Sequence, residues 1–362
     1  MKRTSTRFTK LWRQSLTDYI TRVVWSPDGK ALAVSSAAGE VVLFIQQQPL
    51  SLQKSSGEAV STLGFSADGN WLAASGQKGE VIVWDIGSVE TILADPSVTA
   101  SLPVLFTQTH GNVWIDQLAW HPHRNHLAYS VGDQIYIWDI DTLSPLGQLD
   151  FQSSSVLHLA WHPEGTWLAA SGHGGLKVWS SNDWSAPPEV VEVPGASLYT
   201  AWSCNGQYLG SGNLDRTLTV AEWQSPPPWL MQGFPGKVRQ LAWAQNASVA
   251  MPLLAAACAE GITVWKKGES TEGWQSRVLQ HHQGRVEAIA FQPDSLLLAS
   301  VGQDGQICFW EHGRKLLQAH QAHAEGGTDL AWHPTGQLLA TGSTQGQLTV
   351  WQQSGHSKGF AP

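Results

Sequence analysis

Cysteine, charge and long apolar runs are all scarce in this 362-residue sequence. It has three cysteines, Cys204, Cys258 and Cys308, and no paired spacing between them. This count excludes a disulfide framework and favours a reducing, cytoplasmic setting. Only 14% of the residues are charged and the formal net charge is -8, which argues against a nucleic-acid-binding surface. Since no run of 18 apolar residues occurs, and no apolar segment follows the basic N-terminus, we expect neither a membrane span nor a secretory signal.

The sequence also lacks the motifs of common reactive sites. It contains no nucleophile elbow, P-loop, dinucleotide fingerprint, Cys-x-x-Cys or His-Glu-x-x-His. Five carboxylates lie near the starts of predicted strands and could pair for acid–base chemistry, although solvated loop charges are the simpler interpretation; they are Asp18, Glu58, Asp116, Glu287 and Asp329. We therefore expect a protein that is not an enzyme and that holds no cofactor.

Tryptophan, in contrast, is abundant, and an eightfold repeat explains most of the 20 residues. In each unit an apolar segment ends on an aromatic residue, and a turn and a strand of small residues follow. These aromatic residues are Trp25, Phe65, Trp120, Trp161, Trp202, Trp243, Phe291 and Trp332. From Trp120 to Trp243 they recur every 41 residues. A period of this size indicates stacked supersecondary units.

Each unit has the pattern of short β-strands. Segments such as Val81–Trp84 and Ile135–Trp138 are β-branched and aromatic, and turns such as Pro163-Glu-Gly separate strands. Four strands per unit, repeated radially, predict an all-β, eight-bladed β-propeller; seven blades would leave one intact unit without a place. We expect an N-terminal strand beginning at Phe8 to complete the last blade and close the ring. The predicted organisation is a single propeller over residues 1–353 with a flexible tail over 354–362.

The chain resembles the WD-repeat family in these segments. Trp84-Asp85 and Trp138-Asp139 match the dipeptide that names the family. The resemblance implies hydrogen-bonded networks that lock strands together. In the seventh unit the matching residues are His282, Ser300, Asp304 and Trp310, and in the eighth they are His323, Thr341 and Trp351, with Gln345 in place of the aspartate.

A candidate binding surface follows from aligning the units. Just before the first strands, one slot holds Tyr19, Trp114, Lys237 and Arg285; Arg239 and Arg216 belong to the same face. By resemblance, this channel mouth is where WD-repeat propellers bind partner peptides, and tryptophan, tyrosine and arginine are enriched at binding hot spots. Trp114 could instead cover the insertion at 86–113. The four basic residues come from neighbouring units, so we expect a protein partner with an acidic or phosphorylated segment, and hence a non-enzymatic interaction scaffold.

Histidine supports an alternative, a metal-binding or metal-regulated propeller. Its candidate ligands are His121, His123, His126 and His162. However, His121, His162 and His333 share one slot beside a turn proline, which favours a structural role in the turn. Three further tryptophans, Trp184, Trp229 and Trp274, are expected on outer strands, where they could form a second contact surface.

Overall fold

The computed structural model describes residues 7–87, 102–152, 154–245, 252–259, 261–268 and 273–354. Within these ranges the chain forms 32 strands and no helix. The strands pair into eight antiparallel sheets of four strands each, which are the blades of a propeller. The predicted all-β, eight-bladed fold is confirmed.

Each blade runs from an inner strand at the channel to an outer strand at the rim. Blade 1 consists of β2 (Ile20–Trp25), β3 (Ala31–Ser36), β4 (Val41–Ile45) and β5 (Gln48–Gln53). Blade 2 consists of β6 (Val60–Phe65), β7 (Trp71–Gly76), β8 (Glu80–Asp85) and β9 (Val104–Thr109). Blade 3 consists of β10 (Leu118–Trp120), β11 (His126–Val131), β12 (Gln134–Asp139) and β13 (Ser144–Asp150). Blade 4 consists of β14 (His158–Trp161), β15 (Trp167–Gly172), β16 (Gly175–Ser180) and β17 (Glu189–Val191).

The second half of the ring repeats this order. Blade 5 consists of β18 (Ser197–Trp202), β19 (Tyr208–Asn213), β20 (Leu218–Glu222) and β21 (Ser225–Met231). Blade 6 consists of β22 (Gln240–Trp243), β23 (Leu253–Ala257), β24 (Ile262–Lys267) and β25 (Trp274–Leu279). Blade 7 consists of β26 (Val286–Phe291), β27 (Leu298–Gly302), β28 (Gln306–Glu311) and β29 (Lys315–Gln321). Blade 8 consists of β30 (Gly327–Trp332), β31 (Leu338–Ser343), β32 (Gln347–Ser354) and β1 (Arg7–Ser15).

The two ends of the described chain close the ring. β1 pairs antiparallel with β32 from Arg7 opposite Ser354 to Ser15 opposite Gln347, so the predicted closure is confirmed. Phe8 is fully buried and stacks on Phe309 of blade 7 with 4.0 Å between ring centroids. Ser354 is the last residue of β32, and the remaining residues of the predicted tail, 355–362, lie outside the described ranges.

The second strand of each blade is sandwiched between neighbouring blades, which explains its small residues. All six residues of β3 are buried, as are all five of β23. Burial on both faces therefore selects small residues such as alanine and serine at these positions. Gly76 at the end of β7 has a different constraint, because a Cβ there would collide with backbone atoms of Ala59 and Val60 at the start of the inner strand of the same blade.

The tryptophans that end six of the eight inner strands join each of these blades to the blade before it. The Trp120 indole Nε1 donates a hydrogen bond to the Gly64 carbonyl at 2.8 Å, and Trp161 donates to the Ala119 carbonyl at 3.1 Å. The same bond is made by Trp25, Trp202, Trp243 and Trp332. Tryptophan is favoured here because it combines apolar area with one donor.

Candidate functional site

The inner strands define two faces of the ring. We call the face where they begin the start face and the face where they end in a turn the turn face. All six predicted binding residues lie at the start face. Tyr19 and Trp114 are 43% and 60% exposed. Residues 88–101 of that insertion lie outside the described ranges.

The four basic residues form a sector over blades 5, 6 and 7, which we call the basic sector: Arg216, Lys237, Arg239 and Arg285. Arg216, Lys237 and Arg239 are exposed, and none of the three has an ion pair within the described ranges. Arg285 differs, because its Nη2 lies 2.7 Å from Glu287 Oε1 and its Nε donates to the same oxygen at 2.8 Å. Three of the four guanidinium or ammonium groups are therefore free to meet an anionic partner.

Exposed apolar side chains adjoin the basic sector. Besides Trp114, these are Val113 (42% exposed) in blade 3, Leu157 (37%) in blade 4 and Leu214 (40%) in blade 5. We call these four residues the apolar patch. Sequence reasoning missed Val113, Leu157 and Leu214, because an apolar residue beside a strand is normally assigned to the core. Their signal is positional, since all lie in segments that connect strands at the start face.

The carboxylates near the strand starts do not form one group. Asp18, Glu58 and Asp116 are exposed, as solvated loop charges would be, and Glu287 pairs with Arg285. For Asp329 the loop interpretation is wrong, because this residue lies in β30 and is 7% exposed. Asp329 lies three residues before Trp332, as His158 lies three residues before Trp161. From this position in the wall of the channel its Oδ2 accepts a hydrogen bond from the Val23 backbone N–H at 2.9 Å.

Asp329 belongs to a polar layer across the channel, together with Arg22, His158, Tyr199 and Gln240, one residue from each of five inner strands. Burial raises the pKa of Asp329 and of Tyr199, and the Arg22 charge opposes both shifts. Burial, reinforced by Arg22, lowers the pKa of His158 to about 3. The imidazole and the phenol are therefore neutral at pH 7.

Two of the four histidines proposed as metal ligands, His121 and His162, form hydrogen bonds to the next blade. His121 Nδ1 accepts hydrogen bonds from the backbone N–H groups of His123 and Arg124, and its Nε2 donates to the Gly165 carbonyl of blade 4 at 3.1 Å. His126 lies against His121, with 5.5 Å between ring centroids. His162 bonds to the Gly206 backbone of blade 5 in the same way. Within the described residues, no group of three His, Cys, Asp or Glu side chains is arranged to hold a metal ion.

The family-like network is complete in blade 7. Trp310 Nε1 donates to Ser300 Oγ at 2.9 Å, Ser300 Oγ and His282 Nε2 are 2.8 Å apart, and His282 Nδ1 lies 3.1 Å from Asp304 Oδ1. In blade 8, Trp351 Nε1 and His323 Nε2 both contact Thr341 Oγ1 at 3.1 Å. His323 Nδ1 is buried without a hydrogen-bond partner in the described structure, since the sequence has Gln345 in the aspartate slot.

The outer tryptophans contribute unequally to the rim. Trp229 in β21 is 41% exposed. Trp274 in β25 is partly buried against Tyr208 and Trp243 of blade 5 and blade 6. We had expected Trp184 on an outer strand. It lies instead in the segment before β17 and packs on Trp161. Only Trp229 therefore offers a large apolar surface at the rim among these three.

Comparisons with known proteins agree with this architecture. The family described as "WD domain, G-beta repeat" matches residues 47–85, 143–180, 273–311 and 314–352. Protein hir1 of Schizosaccharomyces pombe is 32% identical over 102 residues, which is 27% of this chain and 11% of hir1. Nuclear distribution protein PAC1 of Yarrowia lipolytica is 29% identical over 104 residues, 25% of this chain and 24% of PAC1.

A third relative, small ribosomal subunit protein RACK1 of Caenorhabditis elegans, is 25% identical over 137 residues, 37% of this chain and 38% of RACK1. The alignments thus cover well under half the length of these relatives. No helix among the described residues is long and apolar enough to cross a membrane. Four matched repeats, eight four-stranded blades and the blade 7 network together place the chain in one family: it is a WD-repeat β-propeller protein.

Proposed function

We propose that this protein is a non-enzymatic interaction scaffold that binds an acidic or phosphorylated segment of a partner protein at the start face. The observation that carries the proposal is that two kinds of exposed surface meet in one turn of blade 5, where Leu214 belongs to the apolar patch and Arg216 to the basic sector. The apolar patch covers blades 3 to 5, and the basic sector covers blades 5 to 7. A partner segment crossing blade 5 would meet both.

Each part of this surface suits a different portion of such a segment. Trp114 supplies a large, rigid contact area, and residues of this type dominate binding energies at interfaces. The guanidinium groups of Arg216 and Arg239 have the planar geometry for bidentate bonds to carboxylate or phosphate. A cleft of about 510 Å³ between blades 6 and 7, lined in part by Pro235, Cys258 and His282, opens beside the basic sector and could receive one side chain of the partner.

Family membership supports the interaction role, because WD-repeat propellers resemble one another in presenting loops around a channel mouth rather than a reactive site. The compartment belongs to the same proposal. None of Cys204, Cys258 and Cys308 forms a disulfide within the described residues, and reduced cysteines suit a reducing cytoplasm.

The proposal is tested by site-specific photo-crosslinking. A benzoylphenylalanine is placed at position 114 and, in a matched control protein, at position 229, which is exposed on the rim. Both proteins are irradiated in extract of the native cell, and the crosslinked segments are identified by mass spectrometry. We expect position 114 to capture segments rich in Asp, Glu or phosphorylated residues. Capture confined to position 229 would move the contact to the rim and contradict the proposal.

Affinity for the captured segment then measures individual residues. Trp114→Ala and Arg239→Ala should each weaken binding by about 1–3 kcal/mol, and the effect of Arg239→Ala should shrink at high salt because surface charges are screened. Arg124→Ala, on the turn face, is the matched control and should bind normally. Both side chains under test are exposed, so the variants should keep the wild-type melting temperature.

A further inference from the structure

A network of buried polar side chains supports the turn that carries Leu214 and Arg216. This turn covers residues 214–217 and joins β19 to β20; we call it the blade 5 turn. The residues of the network are 0–7% exposed and all are neutral: Ser197, Ser211, Asn213, Thr217 and Thr219. A buried network of this kind makes its surroundings rigid when each member has a hydrogen-bond partner.

Asn213 lies at the centre of this network. Its Nδ2 donates hydrogen bonds to Thr217 Oγ1 at 2.9 Å and to Thr219 Oγ1 at 3.0 Å, and its Oδ1 accepts one from Ser211 Oγ at 2.7 Å. The backbone N–H of Asn213 also donates to the Thr217 carbonyl at 3.0 Å. The two amide protons and the amide oxygen are therefore all used, and Asn213 holds the far end of the blade 5 turn through two bonds to Thr217.

The hydrogen bonds continue into the blade 5 turn itself. Thr217 Oγ1 donates to Asp215 Oδ1 at 2.7 Å, and the Leu214 backbone N–H donates to the Ala196 carbonyl at 2.9 Å. Arg216 lies between these anchored residues and has φ of 66°. A residue with a Cβ keeps this conformation only where the surrounding structure holds it. The bonds around Asn213 supply that constraint.

This network replaces the one that locks blade 7. Blade 5 keeps the serine and the aspartate of the blade 7 network, as Ser211 and Asp215, but the histidine and tryptophan slots hold Val193 and Ala221. Ser211 bonds to Asn213 and to Ser197 instead. The aspartate, which in blade 7 contacts the buried histidine, is exposed in blade 5. The network of blade 5 is thus directed at the turn.

Asn213 also departs from the repeat. The other blades have residues without an amide in its slot, at the end of the second strand or, in blade 6, directly after it: Ser36, Gly76, Val131, Gly172, Cys258, Gly302 and Ser343. In blade 8, Ser343 Oγ accepts a hydrogen bond from the Gln347 backbone N–H at 2.9 Å, which is a shorter connection than the one that Asn213 makes. Blade 5 therefore departs from the repeat at the turn where the apolar patch meets the basic sector.

We infer that Asn213 is a positioning residue for partner binding, which holds the blade 5 turn in the conformation that presents Leu214 and Arg216 together to one partner segment. This inference rests on the proposed function at the start face. A turn that is ordered before the partner arrives loses less conformational entropy on binding, so that affinity increases. Asn213 acts through the turn and not by contact with the partner, because its side chain is fully buried.

Hydrogen exchange tests the order of the blade 5 turn without a partner. Asn213→Ser introduces the residue that blades 1 and 8 have in this slot, so the variant should fold. We expect the amides of residues 214–217 to exchange about tenfold faster than in the wild type, because local opening costs less free energy. Ser343→Ala removes a turn bond in blade 8 and is the matched control; it should leave exchange in 214–217 unchanged. Wild-type exchange in Asn213→Ser would overturn the inference.

Affinity tests the consequence for binding. The probe is a synthetic, fluorescently labelled copy of the segment that crosslinks to position 114. Asn213→Ser should weaken its binding about tenfold, which is the effect of one hot-spot contact, whereas Ser343→Ala should bind normally. Thr217→Val removes the hydroxyl that Asn213 holds but keeps a branched side chain, and it should weaken binding in the same direction. This second variant decides the matter should Asn213→Ser not fold.

A double-mutant cycle separates positioning from general stabilisation. When Leu214→Ala and Arg216→Ala are already present, Asn213→Ser should change affinity less than about twofold, because the residues that it positions are absent. Equal losses in both backgrounds, or normal affinity with a lower melting temperature, would show that the network only stabilises blade 5; this would overturn the inference and leave the proposed function intact. Normal binding by the Leu214→Ala, Arg216→Ala variant, or no acidic segment captured at position 114, would contradict the proposed function and the inference together.

Discussion

Arg216 has a backbone conformation that five other blades reserve for glycine. It lies 14 residues after the first aromatic of its unit, and the same slot holds Gly39, Gly79, Gly175, Gly305 and Gly346. These glycines have φ between 70° and 106°, and Arg216 has φ of 66°. A residue with a Cβ in this left-handed region destabilises the folded protein by roughly 1–2 kcal/mol. Because such strain concentrates at functional sites, Arg216 is a candidate for a residue retained for binding at the expense of stability.

Replacing this arginine with glycine should separate binding from stability. We expect Arg216→Gly to raise the free energy of unfolding by about 0.5–1 kcal/mol, because relief of strain outweighs the greater entropy of glycine in the unfolded chain. The same variant should weaken binding of the acidic segment. Arg216→Ala is the control, since it removes the guanidinium group but keeps the Cβ, and should lose affinity without gaining stability. The free energies of unfolding are measured by urea unfolding followed by tryptophan fluorescence. If Arg216→Gly is less stable than the wild type, the backbone at Arg216 is not strained.

For single residues, the sequence predicted the position where repeat slots could be compared. It did not predict which side chains packing leaves exposed. Tyr19, Trp114 and Lys237 were found because the units align, and all are exposed at the start face. Asp329 was misplaced because it was grouped with loop residues at the strand starts, although it has the same slot as His158, three residues before the first aromatic of its unit. Leu157 was missed because an apolar residue next to a strand has the same appearance whether it faces the core or solvent.

A repeated side-chain hydrogen bond joins neighbouring blades at the turn face. His121 donates to Gly165, His333 lies 3.0 Å from the Gly29 carbonyl, and in blade 7 Gln292 Nε2 makes the equivalent bond to Gly336 at 2.7 Å. The glycine is required in at least two blades, because a Cβ at Gly165 would overlap the His121 ring and one at Gly29 would overlap His333. The sequence showed that these histidines share a turn slot. It did not show that each bonds to a glycine carbonyl in the next blade.

Two buried histidines, His121 in a joint between blades and His323 within blade 8, predict how stability depends on pH. Burial lowers the pKa of His121 and of His323 to about 4, whereas an unfolded histidine titrates near 6.5. Between these values the unfolded chain binds protons that the folded chain does not, so the free energy of unfolding falls as pH decreases from about 7 to about 4. His121 alone contributes a loss of up to roughly 3 kcal/mol at the acid end.

His121→Gln should reduce this dependence without breaking the joint, because Gln292 shows that an amide makes the same bond in blade 7. We expect near wild-type stability at pH 7.5 and a smaller loss at pH 5. Urea midpoints at pH 7.5, 6 and 5 provide the comparison. The matched control is His281→Gln, an exposed histidine, which should leave the pH profile unchanged. Parallel profiles for His121→Gln and the wild type would show that His121 is not the titrating group.

For the whole molecule, cooperativity depends on closure of the ring. Inner strands of all neighbouring blades contact one another, including β2 of blade 1 with β30 of blade 8. The repeat predicted this closure, because the last unit had three strands and the first residues before blade 1 had a strand pattern. It did not predict that Phe8 would reach blade 7. There Phe8 contacts Phe309 and Trp332, and its backbone N–H donates to Gln318 Oε1 at 2.9 Å, so β1 fastens two blades.

Loss of β1 should therefore destabilise the entire ring. Deleting residues 1–15 leaves the edge of β32 unpaired and uncovers the surface that Phe8 buries, so we expect insoluble protein or a large drop in melting temperature. Phe8→Ala isolates the anchor and should cost about 3–5 kcal/mol, whereas Leu11→Ala, at a position that is 44% exposed on the same strand, should have little effect. A synthetic peptide of residues 7–15 added to the truncated protein should restore part of the lost stability, because it supplies the missing strand. If the truncated protein melts at the wild-type temperature, or Phe8→Ala and Leu11→Ala behave alike, β1 does not hold the ring closed.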